Sequence, residues 1–181
     1  MSLLMIHKTN IMEQTILARA FAKEMQDEYT STKKCLERIP ENLFEYKPHP
    51  KSMTLGYLAL LVAEIPLWIS ESLEKGVIDF ATFNHQQVKT NQQLVEHFEN
   101  NFEGTIAVLT RINDADLDEQ FRLQANGQLL FSSSKKDSVS STINHWVHHR
   151  GQLTVYMRLN DIAVPSIYGP SADDNTFKKE A

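Results

Sequence analysis

A single cysteine, Cys35, stands in 181 residues, so no intrachain disulfide framework can form and a reducing, cytoplasmic setting is expected. Glycine and proline number 6 each, which excludes collagen-like and loop-dominated chains. Basic runs are absent beyond the pairs Lys33-Lys34, Lys135-Lys136 and Lys178-Lys179. With 18 Lys and Arg against 23 Asp and Glu, the formal charge is −5, and neither half of the chain is basic. The cationic stripe that displaces counterions from phosphates is therefore missing, and no nucleic-acid partner is expected. No export or membrane signal is expected either. The apolar start Met1–Ile6 has no basic region ahead of it. The longest apolar stretch, Tyr57–Ile69, is broken by Glu64 and Pro66 and falls short of the ~20 residues a span needs. It predicts a buried helix.

What remains is ordinary globular material: 41% hydrophobic and 23% charged residues, in a length suited to one domain. Apolar residues recur at helical spacing four times. Phe21, Met25, Tyr29, Thr32, Leu36 and Ile39 mark the first helix, with Ile11, Met12, Ile16 and Leu17 extending it back toward a cap at Thr9 or Asn10; Pro40 ends it. Leu55, Leu58, Val62, Ile65, Ile69 and Leu73, widened by Leu61 and Trp68, mark the second, opened by Ser52 or Thr54, bent at Pro66 and closed by Gly76. Leu94, Phe98, Phe102, Ile106 and Leu109 mark the third, ended at Asn113-Asp114. Val139, Ile143, Trp146, Val147, Leu153 and Tyr156 mark a fourth, over 137–159. Asn126-Gly127 between Phe121–Leu123 and Leu129–Phe131 predicts a small β-hairpin before the last helix. The expected fold is all-α, a four-helix bundle: residues 1–19 extend the first helix, 20–174 form the domain, and 175–181 are a tail.

Chemistry concentrates in His145-Trp146-Val147-His148-His149-Arg150-Gly151-Gln152. His145 and His149 are four apart, so their rings share one helix face and can chelate a single metal ion; Gln152 points the same way. The same spacing also suits a hydrogen-bonded or solvent-facing pair. Arg150 would pair with a carboxylate on a neighbouring helix. His49, His85 and His97 are expected at the surface.

The run from Asn144 to Leu153, with Val155–Leu159 and Val164–Asp173 after it, resembles the C-terminal signature of the DinB family. Leu36–Glu41, Lys51–Gly56 and Val62–Pro66 resemble its upstream stretches, so the likeness covers roughly residues 20–174. It implies an up-down-down-up four-helix bundle, often a homodimer, and a divalent metal, nickel or zinc, held by three histidines. Two of these match His145 and His149. The third falls in Leu58-Ala59-Leu60-Leu61-Val62-Ala63-Glu64-Ile65-Pro66, where the position is Leu61, which cannot ligate. Glu64, one turn on, either completes a two-histidine, one-carboxylate set or faces a structural partner such as Arg150 or Tyr156.

Two functions follow from the resemblance. One is an enzyme acting on a small molecule like the metal-dependent thiol S-transferases or isomerases, whose metal would lower the pKa of a small-thiol cofactor. The other is a binding or scaffold protein that kept the bundle and lost the metal. His145, His149 and the side chain at 61 are expected to converge between the second and fourth helices. The apolar second helix is expected to supply the homodimer contact.

Overall fold

The computed structural model describes residues 16–175. Four long helices carry it: α1 (Ile16–Glu37), α2 (Leu55–Lys75), α3 (Asn91–Arg111) and α5 (Lys135–Leu159), with a single-turn α4 (Asp114–Leu117) and a 3-10 turn at Glu41–Leu43. Three short strands complete it: β1 (Val77–Asp79), β2 (Gln120–Ala125) and β3 (Gln128–Ser134). The proposed cap at Thr9 or Asn10 and the tail beyond 175 lie outside the described residues.

Helix ends follow local chemistry. The Thr54 hydroxyl accepts the Tyr57 N–H at 3.1 Å and opens α2, and Gly76 closes it in the left-handed region at φ 65°. Thr90 and Gln93 form a reciprocal capping box on α3. Ser134 caps α5, which starts at Lys135, two residues before the expected 137. Asn113 does not simply end α3: its side chain accepts the Ala115 and Asp116 N–H groups and starts α4. In turn the Asp114 carboxylate accepts the Leu17 and Ala18 N–H groups of α1, both at 3.1 Å.

The hairpin forms at Asn126 (φ 52°) and Gly127 (φ 74°), both in the left-handed region that a tight two-residue turn needs. β1, which the sequence pattern does not announce, adds parallel to β2 and makes a three-stranded sheet in the order β1-β2-β3. The Asp79 carboxylate reaches across to the hairpin tip and accepts the Asn126 and Gly127 N–H groups at 3.0 and 2.7 Å.

α2 packs against α3 and α5, and α1 packs against the same two helices from the other side. Leu55, Leu58–Pro66, Ile69 and Leu73 of α2 are all buried. Tyr57 is the large apolar residue of α2 left exposed, at 43%. By length and composition α2 alone among the described helices could cross a membrane, and 78% of that window is buried in the fold.

Pro66 sits inside α2 and has no N–H for the carbonyl of Val62. The indole N–H of Trp146 on α5 donates to that carbonyl instead, at 2.9 Å. From α3, Asn101 donates to Ala63 O at 3.0 Å and Thr105 to Pro66 O at 2.5 Å. Side chains from two neighbouring helices thus bind α2 around its proline.

Candidate functional site

With Trp146 fixed inward, the two flanking histidines of α5 turn to one side of it. His145 Nε2 and His149 Nε2 stand 2.6 Å apart, and His149 Nδ1 lies 2.8 Å from Gln152 Oε1. A carboxamide oxygen only accepts, so His149 carries its proton on Nδ1 and presents a lone pair at Nε2. The proton between the rings then belongs to His145, whose Nε2–H donates. Burial lowers both pKa values, with each set of histidine neighbours adding to the effect, although the Gln152 bond opposes it at His149. The pair is neutral at neutral pH, an acceptor and a base. His148 is exposed and His145 half-buried.

Trp68 of α2 lies against His145, with ring centroids 5.6 Å apart. Both border a cavity of about 210 Å³ walled by Ile78, Phe80, Phe121, Leu123 and Phe131 of the sheet region, with Ser138, Ser141 and Thr142 of α5 on its polar side. The three-stranded sheet is thus the apolar wall of the space beside the histidines. The Trp68 indole N–H is buried without a hydrogen-bond partner among the described residues, a state that costs about 1–3 kcal/mol for such a group.

Leu61 is buried, 8% exposed, on the α2 stripe that continues through Glu64 and Trp68. Glu64 does not face Arg150 or Tyr156. Its carboxylate, 1% exposed, turns to the loop before α3: Oε2 lies 2.5 Å from His85 Nδ1, and Oε1 accepts the Gln86 N–H at 2.8 Å. His97 Nε2 stands 3.4 Å from Oε1. Burial alone would raise its pKa; hydrogen bonds from His97, His85 and the Gln86 amide outweigh this and hold it below the usual carboxylate range. His85 is exposed, as expected, and His97 is half-buried; a surface position does not announce that both rings meet Glu64. The signal for it was Glu64 itself, because a lone charge in an apolar helix must be partnered when buried. His49 is exposed, as expected, and accepts the Lys51 N–H.

Arg150 behaves as the motif suggests. It is 2% exposed and pairs with Glu28 of α1 at 2.5 Å. Its other hydrogen bonds go to Glu28 O at 3.2 Å, Thr32 Oγ1 at 3.0 Å and the Tyr168 hydroxyl at 2.9 Å. Arg150 is therefore a structural tie between α1, α5 and the C-terminal loop. Tyr156 donates to Met53 O at 3.3 Å.

The donors do not fit a three-histidine metal centre. Position 61 offers only carbon, both Glu64 oxygens are engaged elsewhere, and His145 and His149 remain as two neutral imidazoles. Among the described residues no group of three or more His, Cys, Asp or Glu is assembled to hold a metal ion.

The description of the DinB family matches residues 5–180. This chain belongs to the DinB family. Among curated proteins it is 26% identical over 155 residues to the uncharacterized YrdA protein of Bacillus subtilis strain 168, covering 85% of this chain and 89% of that one. The DinB fold is shared with solved structures. A DinB-like protein of Bacillus cereus ATCC 10987 superimposes with a TM-score of 0.65 at 23% identity, over 86% of this chain and 99% of that one. The DinB-like protein YjoA of Bacillus subtilis gives 0.63 at 19% identity, over 80% and 93%.

Proposed function

We propose that this DinB-family protein is a four-helix-bundle enzyme of the thiol-transfer or isomerisation type, acting on a small apolar molecule held beside His145. The cavity bordered by His145 and Trp68 carries the reading, since an apolar pocket with one basic group at its edge is the usual form of a small-molecule site. His145 and His149, kept neutral by burial, are suited to take a proton from a bound thiol, leaving a thiolate as nucleophile. The thiol must come from outside the chain. Cys35, the sole cysteine, is buried and its own pKa is pushed up to about 11 by burial. A nickel or zinc ion, if the pair took one up, would rest on two protein ligands and be held weakly; no step is assigned to it.

The test is conjugation of cysteine to 1-chloro-2,4-dinitrobenzene. The native chain is expected to accelerate it and His145→Ala to abolish the acceleration. Equal rates would leave the binding or scaffold role, which keeps the cavity and discards the chemistry. Pairing of two copies is part of the proposal, through the outer edge of β3, where Leu129, Leu130 and Phe131 are all more than half exposed. Light scattering giving twice the chain mass supports it.

A further inference from the structure

His85 has a second setting besides its bond to Glu64. Its ring borders another cavity, of about 370 Å³, where the 3-10 turn meets the start of α2, lined also by Phe44, Glu45, Tyr57, Leu60 and Gln86. No Lys or Arg is among the lining residues. We propose that this cavity binds a small organic amine in its protonated form, with an aromatic or short alkyl body. The proposal is independent of the reading given to the His145 cavity.

Three properties point to a cation with hydrogen-bond donors. The first is charge. Glu45 is exposed, and no ion pair or hydrogen bond engages its carboxylate among the described residues. The ionised Glu64 stands directly behind His85. Glu45 is thus the one formally charged residue of the lining, and it is negative. The second is the tautomer of His85. A carboxylate only accepts, so the ring gives Nδ1–H to Glu64, and in the neutral ring this leaves Nε2 with a lone pair. An ammonium group has three donors and no acceptor, which matches an imidazole lone pair and a carboxylate together. A carboxylate or phosphate ligand would meet the negative charge of Glu45 with no Lys or Arg in the lining to offset it.

The third property is the wall. Phe44 and Tyr57 supply aromatic faces, on which a cation is attracted by the ring quadrupole, and Leu60 supplies apolar surface. The walls are fixed before any ligand arrives. The Tyr57 and Phe83 rings meet His85 edge-on, with centroids 5.8 and 5.3 Å away. Phe44 is held against α2 by the Gly56 N–H, which donates to its carbonyl at 2.9 Å. A β-carbon at Gly56 would sit 2.9 Å from Phe44 Cβ, so this close approach requires glycine. Such preorganisation lowers the entropic cost of binding.

Benzylamine, benzyl alcohol and benzoate share one ring and differ in the charge of the head group. Each is titrated into the full chain near neutral pH and followed by amide NMR shifts. Benzylamine is expected to bind, with shifts centred on Tyr57, His85 and Gln86; benzyl alcohol is expected to bind at least about tenfold more weakly and benzoate not at all. Glu45→Gln, an exposed change that leaves the fold alone, and His85→Ala should each weaken benzylamine by about tenfold, with unchanged circular dichroism. Three results would overturn the proposal. They are benzyl alcohol binding as tightly as benzylamine, undiminished benzylamine binding by Glu45→Gln, and no benzylamine shifts at these residues in the native chain.

Discussion

His145 and His149 face each other through Nε2 atoms 2.6 Å apart, and a third residue decides which of them holds the proton. Gln152 takes Nδ1–H from His149, so His149 accepts at Nε2 and His145 donates. Gln152→Ala removes that constraint. In nitrogen-15 spectra of the native chain His149 should be the Nδ1–H tautomer; in Gln152→Ala it should become a mixture. A pure Nε2–H form of His149 in the native chain would contradict the assignment.

Leu61→His should restore the third imidazole that the DinB resemblance places there. A site with three nitrogen ligands and an open position suits zinc or nickel. Affinity measured against a competing chelator is expected to rise by orders of magnitude over the native chain, since each added ligand in such a set strengthens binding severely. Unchanged affinity would mean that position 61 does not face the pair.

Glu64 has a pKa held below the usual range. For a carboxylate depressed in the folded state, stability is full above the unfolded value, about 4.3, and is lost as pH falls through the lower folded value. The native chain should therefore lose urea stability between about pH 5 and 3 more steeply than Glu64→Gln. At pH 7 the variant should be less stable by about 1–3 kcal/mol, because one of the two oxygens that accept from His85 and Gln86 becomes an NH2 donor. Parallel acid limbs in the two proteins would remove Glu64 as the cause.

Arg150→Ala removes the guanidinium from Glu28, whose side chain is only 12% exposed. Breaking a buried pair by deleting one partner costs about 3–5 kcal/mol, and urea unfolding should show a loss of that size. Tyr168→Phe removes both hydrogen bonds of its hydroxyl, the one accepted from Arg150 and the one donated to Glu28, and should cost roughly 1–2 kcal/mol. If Arg150 instead served the His145 cavity, Arg150→Ala would impair ligand binding while leaving stability near native.

Cys35 should resist alkylation. Its thiol is buried and pushed up to about 11, so at pH 8 little thiolate exists and none is accessible. Iodoacetamide is expected to label it only after unfolding in urea, read by mass spectrometry. Rapid labelling of the native chain would reopen Cys35 as a nucleophile.

The helices were legible because their signals are local. The stripe of α2, its Thr54 cap and its Gly76 stop are all written within a few residues of where they act. The hairpin was legible for the same reason, in Asn126-Gly127. β1 was not: three residues, Val77–Asp79, carry too little pattern, and their pairing with β2 joins segments far apart in the chain. The histidine pair and Gln152 are read from spacing on one helix. The Glu64 environment could not be read that way, because His85, Gln86 and His97 come from a loop and from another helix. Burial demanded a partner for Glu64, but only the path of the loop between β1 and α3 determines which one.

The bond from Trp146 to Val62 makes Pro66 an address mark on α2. Slide α5 by one turn in either direction and the indole N–H enters the core facing carbonyls already taken by their own helix, at a cost of about 1–3 kcal/mol. A helix seam made only of apolar side chains tolerates such slippage far better. Because His145 flanks Trp146 and His149 lies three residues further along, the same mark sets where both imidazoles stand relative to position 61. Pro66→Ala would close the gap in α2 and leave the indole to compete for its acceptor, so a change that strengthens one helix would loosen the alignment of two.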